Sequence, residues 1–383
     1  MVNVLYWLIH SNLDALNDSP LGFLRVLTFP TFQAMLAMVA SFLIVMFMGR
    51  PTINWLRRQK IGDNPDFDNA DLNKAMAAKA GTPTMGGILI LSAIAGVTIL
   101  LADLGNFFVL MSLVCLVWLG TIGAIDDWLK LTAARRSGGR QGLTGREKMA
   151  CQIGIALLLG WFVWRYAGEL PEVRRMYLPF LKSVAIELSL PIFLLLSVAV
   201  IVGSSNAVNL TDGLDGLAAG CMVIVSIVFL VLTLIIADVR LADVLLFHHI
   251  GPAGQLGVLC GAIAGACLGF LWFNAHPASV FMGDTGSLAL GGLIGFVALV
   301  IRQELILLLV GGIFVAEAMS VMMQVGYFKY TRKRFGEGRR IFKMAPLHHH
   351  FQKCGWSETQ VVVRFWVIGA MLAALALAPI KLR

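Results

Sequence analysis

The sequence predicts an all-α polytopic integral membrane protein: one membrane-embedded domain over residues 1–383, with about ten transmembrane helices. Three observations carry that expectation. Hydrophobic residues make up 58% of the chain and charged residues 14%, and the mean hydropathy is +0.82, well outside the range of a soluble domain. Apolar runs of about twenty residues, the length a helix needs to cross hydrocarbon, recur along the chain. These runs are apolar throughout and do not alternate residue by residue, which argues against a transmembrane barrel.

In chain order the spans fall at roughly 28–49, 85–102, 107–125, 149–166, 190–208, 216–237, 256–273, 286–301, 305–328 and 361–380. The first is preceded by Met1 to His10, which is apolar but short, with no basic start and no small-residue cleavage site after it. No cleavable signal peptide is expected. Charge between the spans sets the orientation. The 50–84 connection has six Lys or Arg, the 126–148 connection six and the 329–360 connection eight, whereas the alternate connections have none, three, one and one. The positive-inside rule puts the three basic connections in the cytoplasm and both termini on the opposite side. The 167–189 connection reads as an amphipathic stretch lying along the far interface. A net charge of +8 would suggest nucleic acid in a soluble protein. Here the basic residues flank spans and read as topology signals and as partners for membrane lipid or phosphate, so no nucleic-acid partner is expected. The cysteines at 115, 151, 221, 260, 267 and 354 form no Cys-x-x-Cys pair and indicate neither a disulfide framework nor a thiolate zinc site.

On this topology every polar, glycine-punctuated stretch falls at the cytoplasmic face. Asn206-Ala-Val-Asn209-Leu-Thr-Asp212-Gly-Leu-Asp215-Gly216 interrupts two apolar runs with amides, carboxylates and glycines too polar for hydrocarbon. Asp126 and Asp127 close the third span. Adjacent carboxylates repel unless they share a cation or one is protonated, and hard oxygen ligands of this kind suit Mg²⁺. The 274–287 stretch reads as an irregular loop whose free N–H groups can reach anions, with Asp284 its one acid. Phe281 offers a ring that can stack on a flat base, and Asn274 an amide that can pair with one. Lys79 and Thr84 lie in Lys79-Ala-Gly-Thr-Pro-Thr84-Met-Gly-Gly. Consecutive residues cannot all face one ion, so His348, His349 and His350, beside Arg339, Arg340 and Lys343, suit contact with phosphate or sugar better than a metal site. Glu317 and Gln324 sit within the ninth span, where polar side chains face protein or a water-filled cavity. A transporter would place its acids at mid-span and show inverted repeats. No clear repeat is present, and most acids lie at one edge.

From about Arg50 onward the chain resembles the polyprenyl-phosphate N-acetylhexosamine-1-phosphate transferase superfamily. The resemblance rests on Gly81-Thr-Pro-Thr-Met-Gly-Gly87, Asp126-Asp127, Gly203 to Gly216, Phe270-Leu-Trp-Phe-Asn274, Phe281-Met-Gly-Asp284 and Met344-Ala-Pro-Leu-His-His-His350. The histidine run favours its phospho-N-acetylmuramoyl-pentapeptide transferase branch. What the resemblance implies is a ten-helix enzyme of the bacterial inner membrane, a homodimer. It would transfer phospho-MurNAc-pentapeptide from UDP-MurNAc-pentapeptide to undecaprenyl phosphate, giving lipid I and UMP. The resemblance further implies that Asp126, Asp127, Asp284 and His349 serve catalysis, with Asp284 the Mg²⁺ ligand. Lys79, Thr84, Asn209, Asp212, Asp215, Asn274, Phe281, Gln324, His348 and His350 would surround the substrate. Where some superfamily members carry a third acid after the Asp pair, this chain has Lys130. Direct attack by the lipid phosphate and a two-step route through an aspartyl intermediate remain open at this level.

Overall fold

The computed structural model describes residues 26–59, 81–133, 142–166, 170–177 and 185–378. The helices are α1 (Pro30–Arg58), α2 (Gly87–Leu101), α3 (Phe107–Ala133), α4 (Gly145–Tyr166), α5 (Leu190–Thr211), α6 (Leu217–Ala237), α7 (Val239–Val244), α8 (Gly254–Asn274), α9 (Gly283–Val300), α10 (Glu304–Val310), α11 (Gly312–Phe335), α12 (Leu347–Lys353) and α13 (Glu358–Leu377). Their ends follow ordinary chemistry. Prolines stand in the first turns of α1 and α5, where a missing N–H costs nothing, and Ser357 with Gln360 forms a capping box at the start of α13.

Among the described residues, eight helices are long and apolar enough to cross a membrane, and each coincides with one of the expected spans. The second expected span is the shorter α2. The ninth is not straight: α10 and α11 meet at an 84° bend across Gly311. The described part of the 167–189 connection, expected only as an amphipathic stretch, holds a short antiparallel ribbon, β1 (Arg175–Tyr177) with β2 (Ala185–Glu187). Arg302 at the end of α9 donates to the Arg175 carbonyl oxygen at 2.9 Å and pairs with Glu304 at 2.7 Å, which ties the ribbon to the bundle.

Helix α9 is the axis of the bundle. Every residue from Thr285 to Val300 is buried, and α9 packs on α5 and α3 while α8 packs on α1 and α6. Small residues make such proximity possible where lipid supplies no hydrophobic drive between helices. A Cβ on Gly291 would overlap the α5 backbone at Ser204 and Ser205. Among the described residues, the most protected membrane helix therefore carries Asp284 in its first turn.

Candidate active site

The first turn of α9 is built by a carboxylate from another helix. The four leading N–H groups of a helix have no partner within it. Asp127, 4% exposed near the end of α3, supplies acceptors: Oδ1 accepts from the Asp284 N–H at 3.1 Å, and Oδ2 from the Thr285 N–H at 2.9 Å and the Thr285 hydroxyl at 2.7 Å. The turn before it requires glycine. Gly283 has φ +73°, and a Cβ there would come to 2.6 Å from Asp127 Oδ2 and 3.0 Å from the Thr84 hydroxyl. Asp284 accordingly lies on a capped helix and not in the loop the sequence suggests, because a residue 157 positions away completes the helix start.

Asp126 faces Asp284. One carboxylate oxygen from each of Asp126, Asp127 and Asp284 can be chosen so that all three lie within 4.8 Å of one another. Two ammonium groups hold this negative charge together. Lys148 Nζ stands 2.7 Å from Asp126 and 2.6 Å from Asp284, and Lys130 Nζ 2.8 Å and 3.1 Å from the same two residues. Asp126 also accepts from the Leu143 N–H at 2.7 Å. Asn209, on the last turn of α5, donates to Asp284 Oδ1 at 2.8 Å and to the Ser287 hydroxyl at 2.9 Å. Sequence reasoning registered Lys148 only as a topology charge. Lys130, four residues after Asp126 on one helix face, was the legible part of this cluster.

The other expected segments close around this centre. The Phe281 N–H donates to the Pro83 carbonyl oxygen and its own carbonyl accepts from the Gly86 N–H, both at 2.8 Å, so the Thr84 segment is stitched to the start of α9. Asn274 accepts from the Gly216 N–H at 3.0 Å and donates to the Val280 carbonyl oxygen at 2.9 Å, joining the α5–α6 turn to the α8–α9 loop. Asp215 accepts from the His276 ring and the Ala278 N–H, each at 3.0 Å, while Glu358 accepts from the Asp215 N–H at 2.9 Å. His276 and Glu358 gave no signal in the sequence. Burial, then the negative charges of Asp284 and Asp127, push the Asp212 carboxyl well above the usual carboxylate range, with the Gly283 N–H opposing them. Lys79 lies outside the described residues.

The histidine segment divides. His348 is buried against Glu317, whereas His349 and His350 are half-buried. The ring of His349 meets Gln352 at 2.9 Å, and His350 Nδ1 accepts from the Lys343 N–H at 3.1 Å. Gln324 accepts from the Ile341 and Phe342 N–H groups, both at 3.0 Å, and donates to the Phe342 carbonyl oxygen at 3.1 Å. Three histidines facing one ligand is thus not what forms: the helix α12 turns the first inward.

Beside the centre runs an apolar groove between α5 and the bent pair α10–α11. Val200, Gly203, Ala207, Val208, Phe314, Ala318 and Met322 are among its lining residues. Its α5 wall ends at Val208, one residue before Asn209. Its lining is apolar apart from Ser204 and Glu304.

An acidic and lysine-bridged centre beside such a groove, in a membrane-helix bundle, defines a membrane-embedded transferase, and residues 109–302 match the model of glycosyl transferase family 4. Residues 79–91 match the first signature of the phospho-N-acetylmuramoyl-pentapeptide-transferases. Over 359 residues the chain is 45% identical to the phospho-N-acetylmuramoyl-pentapeptide-transferase of Desulfotalea psychrophila, covering 94% of this chain and 96% of that relative. The chain belongs to the phospho-N-acetylmuramoyl-pentapeptide-transferase family.

Proposed function

We propose that the protein transfers phospho-MurNAc-pentapeptide from UDP-MurNAc-pentapeptide to undecaprenyl phosphate, releasing UMP and forming lipid I for peptidoglycan synthesis. One observation carries this reading: Asp126, Asp127 and Asp284 converge with Lys130 and Lys148 where an apolar groove ends. Two anionic substrates repel, so a phosphoryl transfer between them needs cations at the point of meeting. The donor set of three carboxylates fits Mg²⁺. Asp284 would hold the ion, while the oxygens of Asp127 are engaged by the helix end. The ion supplies charge neutralisation on the phosphates.

The chain's own groups do the rest. Lys130 and Lys148 bridge carboxylates and are partly exposed, so both can turn to substrate phosphates. Asp126 is the acid left to orient the lipid phosphate or accept its proton for in-line attack on the sugar-linked phosphorus. The polyprenyl tail lies in the α5–α11 groove, which keeps its headgroup near Asn209 and Asp284. Phe281 stacks on the uracil, and His349 and His350 face the diphosphate or sugar. The basic connections support a cytoplasmic site, periplasmic termini and an inner-membrane location. Family resemblance supports a homodimer.

The test uses purified protein in lipid nanodiscs, scored for UMP release. Release that requires UDP-MurNAc-pentapeptide, undecaprenyl phosphate and Mg²⁺ together, and that stops with a chelator, is the expected result. Preference for another UDP-sugar would overturn the donor assignment. Full turnover in excess chelator would overturn the metal.

A further inference from the structure

Glu317 is a carboxylate in the second turn of α11 with no part in the chemistry above. It is fully buried, and both of its oxygens face one residue: Oε1 accepts from the His348 N–H at 3.1 Å, and Oε2 lies 3.2 Å from His348 Nδ1. His348 is itself 1% exposed. Its Nε2 abuts Gly213, where any Cβ would overlap the ring. A continuous path of contacts therefore runs from α11 through the histidine helix to the turn that carries Asp212, and that turn continues from Asn209, the partner of Asp284.

Glu317 is the top of a ladder. Gln324, seven residues on, accepts from the Ile341 and Phe342 N–H groups. Thr331, seven further, accepts from the Arg339 N–H at 2.8 Å. Seven residues are close to two helical turns, so the three project from one face of α11 and clasp the returning 339–348 chain along its length. The face at the other side of α11, at Ala318 and Met322, lines the groove.

We propose that Glu317 is a positioning residue for the nucleotide-sugar donor: by fixing His348 it seats α12 on Gly213, and so places His349 and His350 toward the substrate. This rests on the functional reading above and deepens it. A buried acceptor is costly to delete, because the His348 N–H that it satisfies is then stranded away from water.

The experiment compares Glu317→Gln and Glu317→Ala in nanodiscs. Glu317→Ala should raise the KM for UDP-MurNAc-pentapeptide about 10- to 100-fold, the scale of one buried donor left unsatisfied. The KM for undecaprenyl phosphate should stay unchanged. Glu317→Gln, whose amide oxygen still accepts from the His348 N–H, should recover to within about threefold of wild type. In a His348→Ala background Glu317→Ala should add little. Seating is read independently of activity by maleimide labelling of Cys354. This residue caps α12 and is exposed, whereas the other five cysteines are buried or half-buried, and it should label several-fold faster in Glu317→Ala. An unchanged donor KM in Glu317→Ala overturns the proposal. So does equal loss toward both substrates, the mark of general destabilisation, or a Glu317→Gln variant as impaired as Glu317→Ala with wild-type labelling, the mark of a direct role for the charge. If the wild type releases no UMP, the functional reading falls, and the labelling ratio alone supports or overturns the seating of α12.

Discussion

Asp127→Asn and Asp284→Asn should fail in different ways, although both remove one charge from the same centre. Asp127 accepts three hydrogen bonds with its two oxygens, two of them from backbone N–H groups at the start of α9. An amide keeps one acceptor oxygen. With that oxygen toward Thr285, its NH₂ faces the Asp284 N–H, and flipped it faces Thr285. Either way a buried backbone donor is stranded, at about 1–3 kcal/mol. The lost negative charge at a helix N-terminus adds about 0.3–1 kcal/mol. The structure thus gives Asp127→Asn a stability loss of about 1–4 kcal/mol. Asp284→Asn keeps an acceptor for Asn209, and Lys148 still has Asp126 as a partner. No backbone donor is stranded, so its stability should fall less than that of Asp127→Asn, while turnover falls by several decades, on the order of 3–5 kcal/mol of transition-state stabilisation. Chemical or thermal unfolding in nanodiscs measures the first quantity, and UMP release measures the second. If Asp127→Asn proved as stable as wild type and as inactive as Asp284→Asn, the capping argument would fail and Asp127 would belong to the chemistry itself.

Three further outcomes are expected. Lys148→Ala should lower kcat about 100-fold, the scale for one charge-stabilising donor, with KM for either substrate changed far less; kinetics with each substrate varied in turn checks this. Phe281→Ala should raise KM for the UDP donor in the UMP-release assay and weaken uridine-based inhibitors by roughly 1–3 kcal/mol in titration calorimetry; a change in thermal stability alone would make Phe281 an anchor at the membrane interface instead. A cysteine at Glu172 in a Cys354→Ser background should label only from the periplasm in right-side-out cells, and native Cys354 only after permeabilisation. Reversed labelling would invert the proposed topology.

Where the apolar pattern is unbroken, the fold was legible. Each twenty-residue run became a helix because hydrocarbon leaves the backbone no other partner. The bend at Gly311 was not, because Glu304 to Phe335 reads as one long span unless the packing of α11 on α5 is known. In the sequence Asp284 reads as a loop residue because Pro277, Gly283 and Gly286 break the pattern. The helix begins there only because Asp127 caps it from a distant segment, and local composition carries no trace of that. The ribbon at Arg175 and Ala185 is held by Arg302, again from far along the chain. In the site, the carboxylates announced themselves as paired or glycine-flanked acids. Lys148 did not, since a lysine beside a span looks the same whether it marks topology or bridges two aspartates. The three histidines looked equivalent as letters, and only burial separates His348 from its neighbours.

The bend between α10 and α11 also bears on how the protein must be handled outside the cell. A straight helix would have closed against α5. The angled pair leaves a slot edged by Leu308 and Met322, both more than half exposed, so whatever surrounds the protein completes its wall. In a bilayer that completing material is acyl chain. In a micelle it is the detergent's own tail, bound at a concentration far above that of any added lipid. With the polyprenyl tail in this slot, as proposed, detergent chain length would act on this protein as a competitive ligand does. An apparent affinity for undecaprenyl phosphate measured in micelles reports the detergent as much as the site, and values for variants are comparable only when taken in one amphiphile at one concentration.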